Sequence, residues 1–354
     1  MLRLGSIQID APFVQAALSG YSDGPMRRLS RLYGCRYAVN EVVLDRLVLL
    51  GGKAMRRSLA LAPDDHPVGG QLMGSEPEQF GMAAAALVEA GYDVVDINFG
   101  CPVKKVLGRC RGGYLLSVPA TAIDILRRVR DGVGGRVPVT LKMRRGLDDS
   151  AESERNFFRI LDAAFELGLA AVTVHGRTVR QRYVGPSNWA FLASVKRHAG
   201  DRVILGSGDA FTAEDCVRML RETGVDGVSV ARGAIGNPFI FEEAAALWRG
   251  DRLPPPPSIA RQREALLTHF QMMLSSYGPK NAPLLFRKFG VRYSELHPCP
   301  ADVKAAFLRV RTEAEWWEVV ECWYDPSRAW PAVVRRSRPE TLVAAGAAWD
   351  CAPG

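Results

Sequence analysis

Polar side chains recur in this sequence where short apolar segments end. The segments are rich in β-branched residues, and in each case the polar groups lie at the carboxyl end of the segment. Thiol, ammonium and imidazole groups of this kind transfer protons in enzymes, so a shared rim would form one reactive site. Any single group also has a purely structural interpretation. Six clusters are present: Gln71; Asn98 with Cys101; Lys142 with Arg144; His175 with Arg177; the turn 207–209; and the turn 231–233.

The cysteines show no metal-binding or disulfide pattern. There are 7, and none are spaced C-x-x-C; the 5 histidines lie far apart from one another. Zinc sites and disulfide frameworks need paired, closely spaced ligands. We therefore expect no metal site, and the question becomes which single thiol is chemically special.

The elements that must position these clusters are marked by a recurring phrase. It reads EAGYDVVDI, ELGLAAVTV and ETGVDGVSV, and in each case a helical pattern ends at a glycine: Gly91, Gly168 or Gly224. Glycine adopts the left-handed conformation that closes a helix. Two helix starts are also predicted, from a capping box of Ser75 with Glu78 and from Thr212 followed by Asp215.

Eight strands alternate with helices along the first two thirds of the chain. We expect the strands at 12–18, 38–42, 67–73, 94–98, 137–143, 171–175, 203–206 and 227–231. Eight βα units in this length are typical of a (β/α)₈ TIM barrel, with chemistry at the carboxyl ends of the strands. A doubly wound sheet is the alternative, but no G-x-G-x-x-G follows the first strand.

A proline run divides the chain. LPPPPS at 253–258 cannot form a helix and predicts a stiff linker between a barrel at 1–252 and a small helical domain at 259–325. The remaining segment, 326–354, is rich in Ala, Pro and Arg, and we expect it to be poorly ordered.

The composition is that of a soluble globular protein, with 47% hydrophobic and 24% charged residues. We find neither a signal-peptide pattern nor an apolar run long enough to cross a membrane, so we expect a cytoplasmic protein. The net charge of +8 is compatible with a polyanionic partner, although an arginine-rich soluble protein is the simpler interpretation of charge alone.

Several motifs together resemble the tRNA-dihydrouridine synthases, particularly the bacterial branch, over about residues 16–293. The most specific is INFGCPVKKVLGRCRGGYLL at 97–116, with its N-x-G-C-P turn followed by K-V, a glycine and a double leucine. The further matches are GQLMGS at 70–75, LKMRRG at 141–146, VHGRT at 174–178 and GNPFIF at 236–241.

The resemblance implies that Cys101 is the general acid of a flavin-dependent reduction. Hydride passes from flavin N5 to uracil C6, and the thiol protonates C5 from the opposite face. A thiol with an ordinary pKa of about 8.5 is mostly protonated at neutral pH and is able to donate. The structural alternative is a buried cysteine, and Cys110 in the same loop is a weaker candidate.

The resemblance also implies a site for FMN. Lys142 would place its charge beside the N1–C2 edge of the flavin, where an ordinary salt bridge is the alternative. The phosphate would lie at the loops after strands seven and eight. The predicted FMN contacts are Ala17, Leu18, Ser19, Gln71, Lys142, His175, Ser207, Gly208, Asp209, Ala231 and Arg232.

The sequence departs from the family pattern at three places among these contacts. Ala17-Leu18-Ser19 replaces Pro-Met-Ala, Ser207 replaces an asparagine, and Ala231 replaces a glycine. All three bear on flavin affinity rather than on the fold.

For the substrate, the resemblance implies a uridine of tRNA, with the D-loop expected, and NADPH as the reductant. RKFGVRY at 287–293 resembles the basic helix of the family, with Phe289 where histidine is usual. The alternative is a solvated helix face. The predicted substrate contacts are Asn98, Arg144, Arg177, Tyr183, Lys288, Arg292 and Tyr293.

We expect this enzyme to be a monomer. Two other functions are compatible with the sequence. The first is a flavin-dependent reductase of a free pyrimidine, which would share the barrel but not the basic helical domain. The second is an RNA-binding protein that has lost catalysis through the three departures, against which the presence of Cys101, Lys142 and His175 argues.

Overall fold

The computed structural model describes residues 1–333 and 335–337. Its strands are β1 Leu2–Leu4, β2 Ile7–Ile9, β3 Phe13–Gln15, β4 Ala38–Val39, β5 Val43–Leu44, β6 Val68–Met73, β7 Val94–Phe99, β8 Val139–Arg144, β9 Ala171–His175, β10 Ile204–Ser207 and β11 Gly227–Val230. Its helices are α1 Gly24–Leu32, α2 Asp45–Leu50, α3 Lys53–Leu59, α4 Pro77–Glu89, α5 Lys104–Leu107, α6 Pro119–Val133, α7 Ala151–Glu166, α8 Trp189–Ala199, α9 Ala213–Thr223, α10 Ile240–Arg249, α11 Ile259–Tyr293, α12 Pro300–Arg309 and α13 Glu313–Trp323. Short 3-10 turns cover Gly112–Ser117, Arg232–Ala234 and Ser294–Leu296.

Strands β3, β4 and β6 to β11 close into a parallel barrel. The hydrogen-bonded order runs β4-β3-β11-β10-β9-β8-β7-β6, and β4 pairs with β6 to complete the ring. Ala38 in β4 pairs with Gln15 of β3 on one side and with Val68 of β6 on the other. The (β/α)₈ barrel is confirmed, and the doubly wound sheet is wrong because an open sheet would have two unpaired edges. The short strand β5 adds a second pairing to β6.

The glycines of the recurring phrase end helices as expected. Gly91, Gly168 and Gly224 have φ of 91°, 79° and 71°. Thr212 and Asp215 form the predicted capping box at the start of α9. The capping box of Ser75 with Glu78 is wrong: Glu76 precedes Pro77 at the helix start, and no side chain caps it.

A hairpin at the amino terminus, which we did not predict, covers the bottom of the barrel. Strands β1 and β2 pair antiparallel, and Leu2, Leu4 and Ile9 are buried. They form a core with Val94, Ala171 and Leu205, separate from the main one. Its signal is the alternation of LRL and IQI around Gly5, which is typical of a hairpin with one buried face.

Helices α11 to α13 form the helical domain and pack on aromatic side chains. The helix α11 is broken at Gly278, which has φ 75° and ψ 166°. Phe270 stacks on Trp316 with ring centroids 3.7 Å apart, and Phe286 meets the same indole edge-on at 5.5 Å. This core gives the domain a rigid surface to present to the barrel.

The helical domain and the barrel are in direct contact. Residues 251–258, which contain the prolines, have neither helix nor strand. Gly236 lies so close to the backbone of Arg292 that a Cβ there would stand 2.6 Å from it. The Tyr277 hydroxyl donates to the carboxylate of Asp23 at 2.8 Å. The carboxyl-end rim of the barrel is therefore bordered by α11.

The segment predicted to be poorly ordered, 326–354, lies mostly outside the described residues. In its described part, Trp330 packs against His297 with ring centroids 4.8 Å apart. Arg335 and Arg336 form ion pairs with Glu243 and Glu295. These three side chains therefore contribute contacts to both the barrel and the helical domain.

Neither a membrane-spanning helix nor a metal cluster occurs within 1–333 and 335–337. The helices there are too short or too polar to cross a bilayer. Histidine, cysteine and carboxylate side chains do not gather in groups of three that would hold a metal ion in that part of the chain.

Candidate active site

One pocket of about 530 Å³ opens at the carboxyl ends of the barrel strands. It collects the predicted residues from across the sequence, because the ends of parallel strands share one rim. Two walls come from loops, and α11 closes a third side through Leu285 and Lys288. The predicted residues that line it are Ala17, Leu18, Ser19, Gln71, Asn98, Cys101, Lys142, Arg144, His175, Tyr183, Ser207, Gly208, Asp209, Ala231, Arg232 and Lys288.

Three residues predicted to contact the substrate lie elsewhere. Arg177 is fully buried and bonded to Asp209, and Tyr293 is 1% exposed within the core of the helical domain. Both side chains are buried in this structure, and their contact with RNA stays a prediction. Arg292 is half-buried and forms an ion pair with Glu295, outside the pocket lining.

A chain of hydrogen bonds fixes the base of the pocket. The buried carboxylate of Asp96 accepts from Thr140 at 2.6 Å and from the Gln71 amide at 2.7 Å. The Gln71 carbonyl accepts from Asn98 at 2.7 Å. The Asn98 carbonyl in turn accepts from the backbone N–H of Cys101 at 3.1 Å. These partners set which end of each amide faces the pocket.

Cys101 follows β7 in a tight turn at the pocket wall. Its carbonyl accepts from the Gly113 N–H at 3.1 Å. A Cβ on Gly112, which has φ 58°, would stand 2.9 Å from the Cys101 Cβ. The glycine pair of the motif is thus required by the close return of the loop onto Cys101. Cys110, the weaker candidate, is exposed, with φ 57°.

Lys142 brings a half-buried ammonium group to the pocket. Its pKa is lowered from the ordinary range to about 8, chiefly by burial and then by the charge of Arg144, while Asp96 opposes the shift. At neutral pH the amine is therefore still mostly protonated. A cation held in a low-dielectric site attracts an anionic ligand strongly.

His175 is neutral in the pocket wall. Burial, followed by the charges of Arg144 and Lys142, keeps its pKa well below the usual range. Its Nδ1 accepts from the backbone N–H of Arg177 at 3.1 Å. Since Nδ1 accepts, the ring proton is on Nε2, and His175 is a neutral hydrogen-bond donor.

Positive charge dominates the pocket lining. Four cations line it, Lys142, Arg144, Arg232 and Lys288, against the one carboxylate of Asp209. That carboxylate is bound by the guanidinium of Arg177 at 2.7 and 2.8 Å. The pocket therefore suits a ligand with negative charge.

The ring of Tyr183 lies between two of these cations. The guanidinium of Arg144 is 5.4 Å from its centroid, and that of Arg232 is 5.0 Å away. The ring attracts both groups by cation–π interaction, and the Arg144 guanidinium also donates to the carbonyls of Gly100, Thr178 and Arg182. Tyr183 is 38% exposed, so the stack borders the pocket entrance.

The departures from the family pattern lie at the pocket rim or in the core. Ala231 precedes the 3-10 turn Arg232–Ala234 with φ −106° and ψ −100°. Ser207 is buried at the end of β10, where its carbonyl accepts from the Gly176 N–H. Phe289 is fully buried against His269, with ring centroids 4.5 Å apart, so it serves packing.

Some pocket residues were missed by sequence reasoning. Asp96 and Thr140 lie beneath Gln71, and Tyr21 and Phe211 form apolar walls. The sequence contained a signal for Asp96. It is an acid in an apolar strand, and because it lies two residues before Asn98, its side chain faces the same side of the strand as that of Asn98. Tyr21 and Phe211 lie in loops and left no periodic signal.

The closed parallel barrel and the polar pocket at its carboxyl ends define the class of this chain, a TIM-barrel enzyme. A model of the dihydrouridine synthases, "Dihydrouridine synthase (Dus)", matches residues 14–324. The chain belongs to the dihydrouridine synthase family, which confirms the resemblance seen in its motifs.

Curated relatives match most of the chain. "tRNA-dihydrouridine synthase B" of Xanthomonas axonopodis pv. citri (strain 306) is 34% identical over 311 residues, covering 88% of this chain and 92% of the relative. A "Probable tRNA-dihydrouridine synthase" of Mycobacterium tuberculosis (strain ATCC 25618 / H37Rv) is 30% identical over 339 residues, covering 92% and 84%.

Solved structures match in fold alone. Histamine dehydrogenase from Rhizobium sp. 4-9 aligns with a TM-score of 0.53 and 14% identity, over 77% of this chain and 50% of that one. A 2-naphthoyl-CoA reductase in complex with 2-naphthoyl-CoA aligns with a TM-score of 0.55 and 12% identity, over 71% and 52%. The chain thus spans about half the length of these structures.

Proposed function

We propose that this chain is an FMN-dependent tRNA-dihydrouridine synthase that reduces the C5=C6 bond of a uridine, with NADPH as the reductant and the D-loop as the target region. The observation that carries the proposal is one pocket holding a thiol, a neutral imidazole and four cations. Cys101, His175 and Lys142 are among its lining residues. The names of the curated relatives support the same substrate.

The pocket fits a flavin mononucleotide. Its volume of about 530 Å³ lies within the range of roughly 300–1,000 Å³ that is usual for cofactor sites. The excess of cations suits both a phosphate and an anionic ring. Arg232 and Gly208 lie at the loops after β10 and β11, where TIM barrels often hold phosphate.

The chain's own groups would orient the ring. Lys142 holds a positive charge at the barrel axis, and the Gln71 amide is fixed by Asp96 and Asn98. His175 offers an Nε2–H donor that does not add charge. When bound, the flavin supplies hydride to C6 of the uracil.

Cys101 would supply the proton to C5. It lines the pocket at a fixed turn, with its backbone N–H bonded to Asn98. Arg144 and Tyr183 line the same pocket and would contact the uracil. The chain thus offers separate groups for binding the ring and for protonating it.

The helical domain would contribute a cation to RNA binding. Lys288 lies at the pocket entrance, with its Nζ 5.4 Å from the ring centroid of Tyr21 and 5.1 Å from that of Phe289. A uridine in a folded tRNA must be extruded to reach a barrel mouth, at a cost of a few kcal/mol. Phosphate contacts of this kind would offset that cost.

We expect the purified protein to bind one FMN per chain and to appear yellow. The reason is the fit between the cationic pocket and an anionic flavin. Absorbance near the flavin bands, with FMN quantified after denaturation, measures this. A colourless protein that also fails to take up added FMN would contradict the flavin proposal.

We expect Lys288→Glu to weaken tRNA binding by about tenfold and to reduce its salt dependence, because one phosphate contact is lost. FMN content should change less than tRNA affinity, because Lys142, Arg144 and Arg232 still line the pocket. Arg292 is left intact, since its reversal would also break the pair with Glu295. Filter binding at several salt concentrations is the measurement.

The matched control is Arg130→Glu, which has the same charge change. Arg130 is exposed near the opposite end of the barrel, beside the amino-terminal hairpin. The control should bind tRNA within twofold of the parent. If Lys288→Glu also binds as the parent does, the entrance cation is not an RNA contact, and reduction of a free pyrimidine becomes the better proposal.

A further inference from the structure

Arg336 is a buried arginine that binds the backbone of a loop in the pocket wall. It is 9% exposed, and its Nη1 donates to the backbone carbonyl of Ile235 at 2.9 Å and to that of Gly233 at 3.3 Å. It also donates to the carbonyl of Arg232 at 3.4 Å. Its Nη2 forms an ion pair with Glu295 of the helical domain.

The three carbonyls belong to a loop that forms part of the pocket wall. Ala231, Arg232 and Ile235 line the pocket on the inner side of this loop. On the outer side, Gly236 packs against the backbone of Arg292. The loop, defined here as the 231–236 loop, is therefore held between the pocket and the helical domain.

The charge of Arg336 fits the electrostatics of this loop. Carbonyl groups at the end of a 3-10 turn carry partial negative charge and need donors. When a cation binds the carbonyls from outside, the 3-10 turn Arg232–Ala234 keeps a fixed orientation relative to the pocket. The same contact holds Arg232, whose guanidinium faces Tyr183 and Phe211 at 5.0 and 4.8 Å.

Arg336 lies twelve residues beyond the end of the family match at residue 324. Arg335, its neighbour, makes a different contact, an ion pair with Glu243 on α10 at 2.6 Å.

We propose that Arg336 is a positioning residue for the 231–236 loop and, through this loop, for the phosphate end of the bound flavin. This inference rests on the proposed flavin site. Arg336 does not touch the ligand; it acts by fixing the backbone and the guanidinium of Arg232. The carboxyl-terminal segment then helps to build the pocket.

The test compares flavin affinity in three variants of the full chain. Arg336→Gln removes the charge and the fork of donors. Arg336→Lys keeps the charge but offers one ammonium in place of the fork. Arg335→Gln is the matched control, since it breaks an ion pair of the same segment without touching the loop. FMN dissociation constants come from fluorescence titration of apoprotein, and apoprotein Tm is recorded in parallel.

We expect Arg336→Gln to raise the FMN dissociation constant about tenfold, equivalent to about 1.4 kcal/mol. Arg336→Lys should lie between this variant and the parent, and Arg335→Gln within twofold of the parent. If Arg336→Gln does not fold, Arg336→Lys carries the test with an expected rise of about threefold.

Two results overturn the proposal while leaving the flavin site intact. The first is unchanged FMN affinity in the folded Arg336 variants, even with a lower Tm, because the residue would then serve stability alone. The second is an equal loss in Arg335→Gln, which would indicate a general effect of the segment. A parent that binds no flavin overturns the proposed function itself, and this inference with it.

Discussion

Cys101→Ala is expected to reduce the rate of uridine reduction by about 10²–10⁴-fold, the usual contribution of general acid catalysis. Reduction of the bound flavin by NADPH should stay within twofold of the parent rate. The two half-reactions separate because only the second places a proton on carbon. Single-turnover absorbance traces, with NADPH alone and then with tRNA, measure them independently.

The control for this experiment is the second cysteine of the same loop. Cys110 is exposed, so Cys110→Ala removes a thiol without disturbing the pocket. It should reduce uridine at the parent rate. If Cys101→Ala also does so, the thiol of Cys101 is structural, whereas a loss in Cys110→Ala alone would move the acid to that residue.

Much of the pocket was predictable because one rule covers many residues. In a parallel barrel the carboxyl end of each strand reaches the same rim. Residues at the ends of successive predicted strands therefore lie close together in space. Gln71, Lys142 and His175 lie on different strands and yet line one pocket. Residues placed by strand ends therefore needed no knowledge of side-chain packing.

Sequence reasoning was least informative where the position of a side chain depends on packing. Tyr293 follows Phe286 and Phe289 at helical spacing, and all three share the buried face of α11. The spacing of these aromatic residues is visible in the sequence. It is a stronger indication that Tyr293 is buried than the adjacent cations are that it contacts RNA. Lys288 lies off that face and reaches the pocket.

Long-range ion pairs left no local signal at all. Arg177 binds Asp209, 32 residues away, and Arg336 binds Glu295 across the domain boundary. A cation near a functional motif is easily assigned to the ligand, since the sequence does not show which carboxylate it meets. Such pairs become visible only when the loops are placed together.

Arg177→Ala is expected to lower the free energy of unfolding by about 3–5 kcal/mol, the usual cost of leaving a buried charge without its partner. Both carboxylate oxygens of Asp209 are bound by the one guanidinium nitrogen, and the pair is almost completely buried. In this variant the Asp209 carboxylate would keep its hydrogen bond from the Ser187 N–H and a longer contact with the Arg232 guanidinium at 3.8 Å. Urea titration with an unchanged m-value measures the loss.

The same substitution should also disturb the pocket, because the pair joins two of its loops. The Nε of Arg177 donates to the Gly185 carbonyl at 2.9 Å, which ties the loop carrying Tyr183 to the turn at Asp209. Asp209 has φ 62°, a conformation that needs support from its surroundings. Flavin affinity should therefore fall together with stability.

An exposed ion pair provides the control for Arg177→Ala. Arg128 pairs with Glu78 on the barrel surface, with side chains 49% and 65% exposed. Arg128→Ala should cost no more than about 1 kcal/mol, since solvent screens such a pair. If both variants lose the same stability, the buried pair is not what holds the two loops, and the hydrogen bond from the Ser187 N–H to Asp209 is sufficient without it.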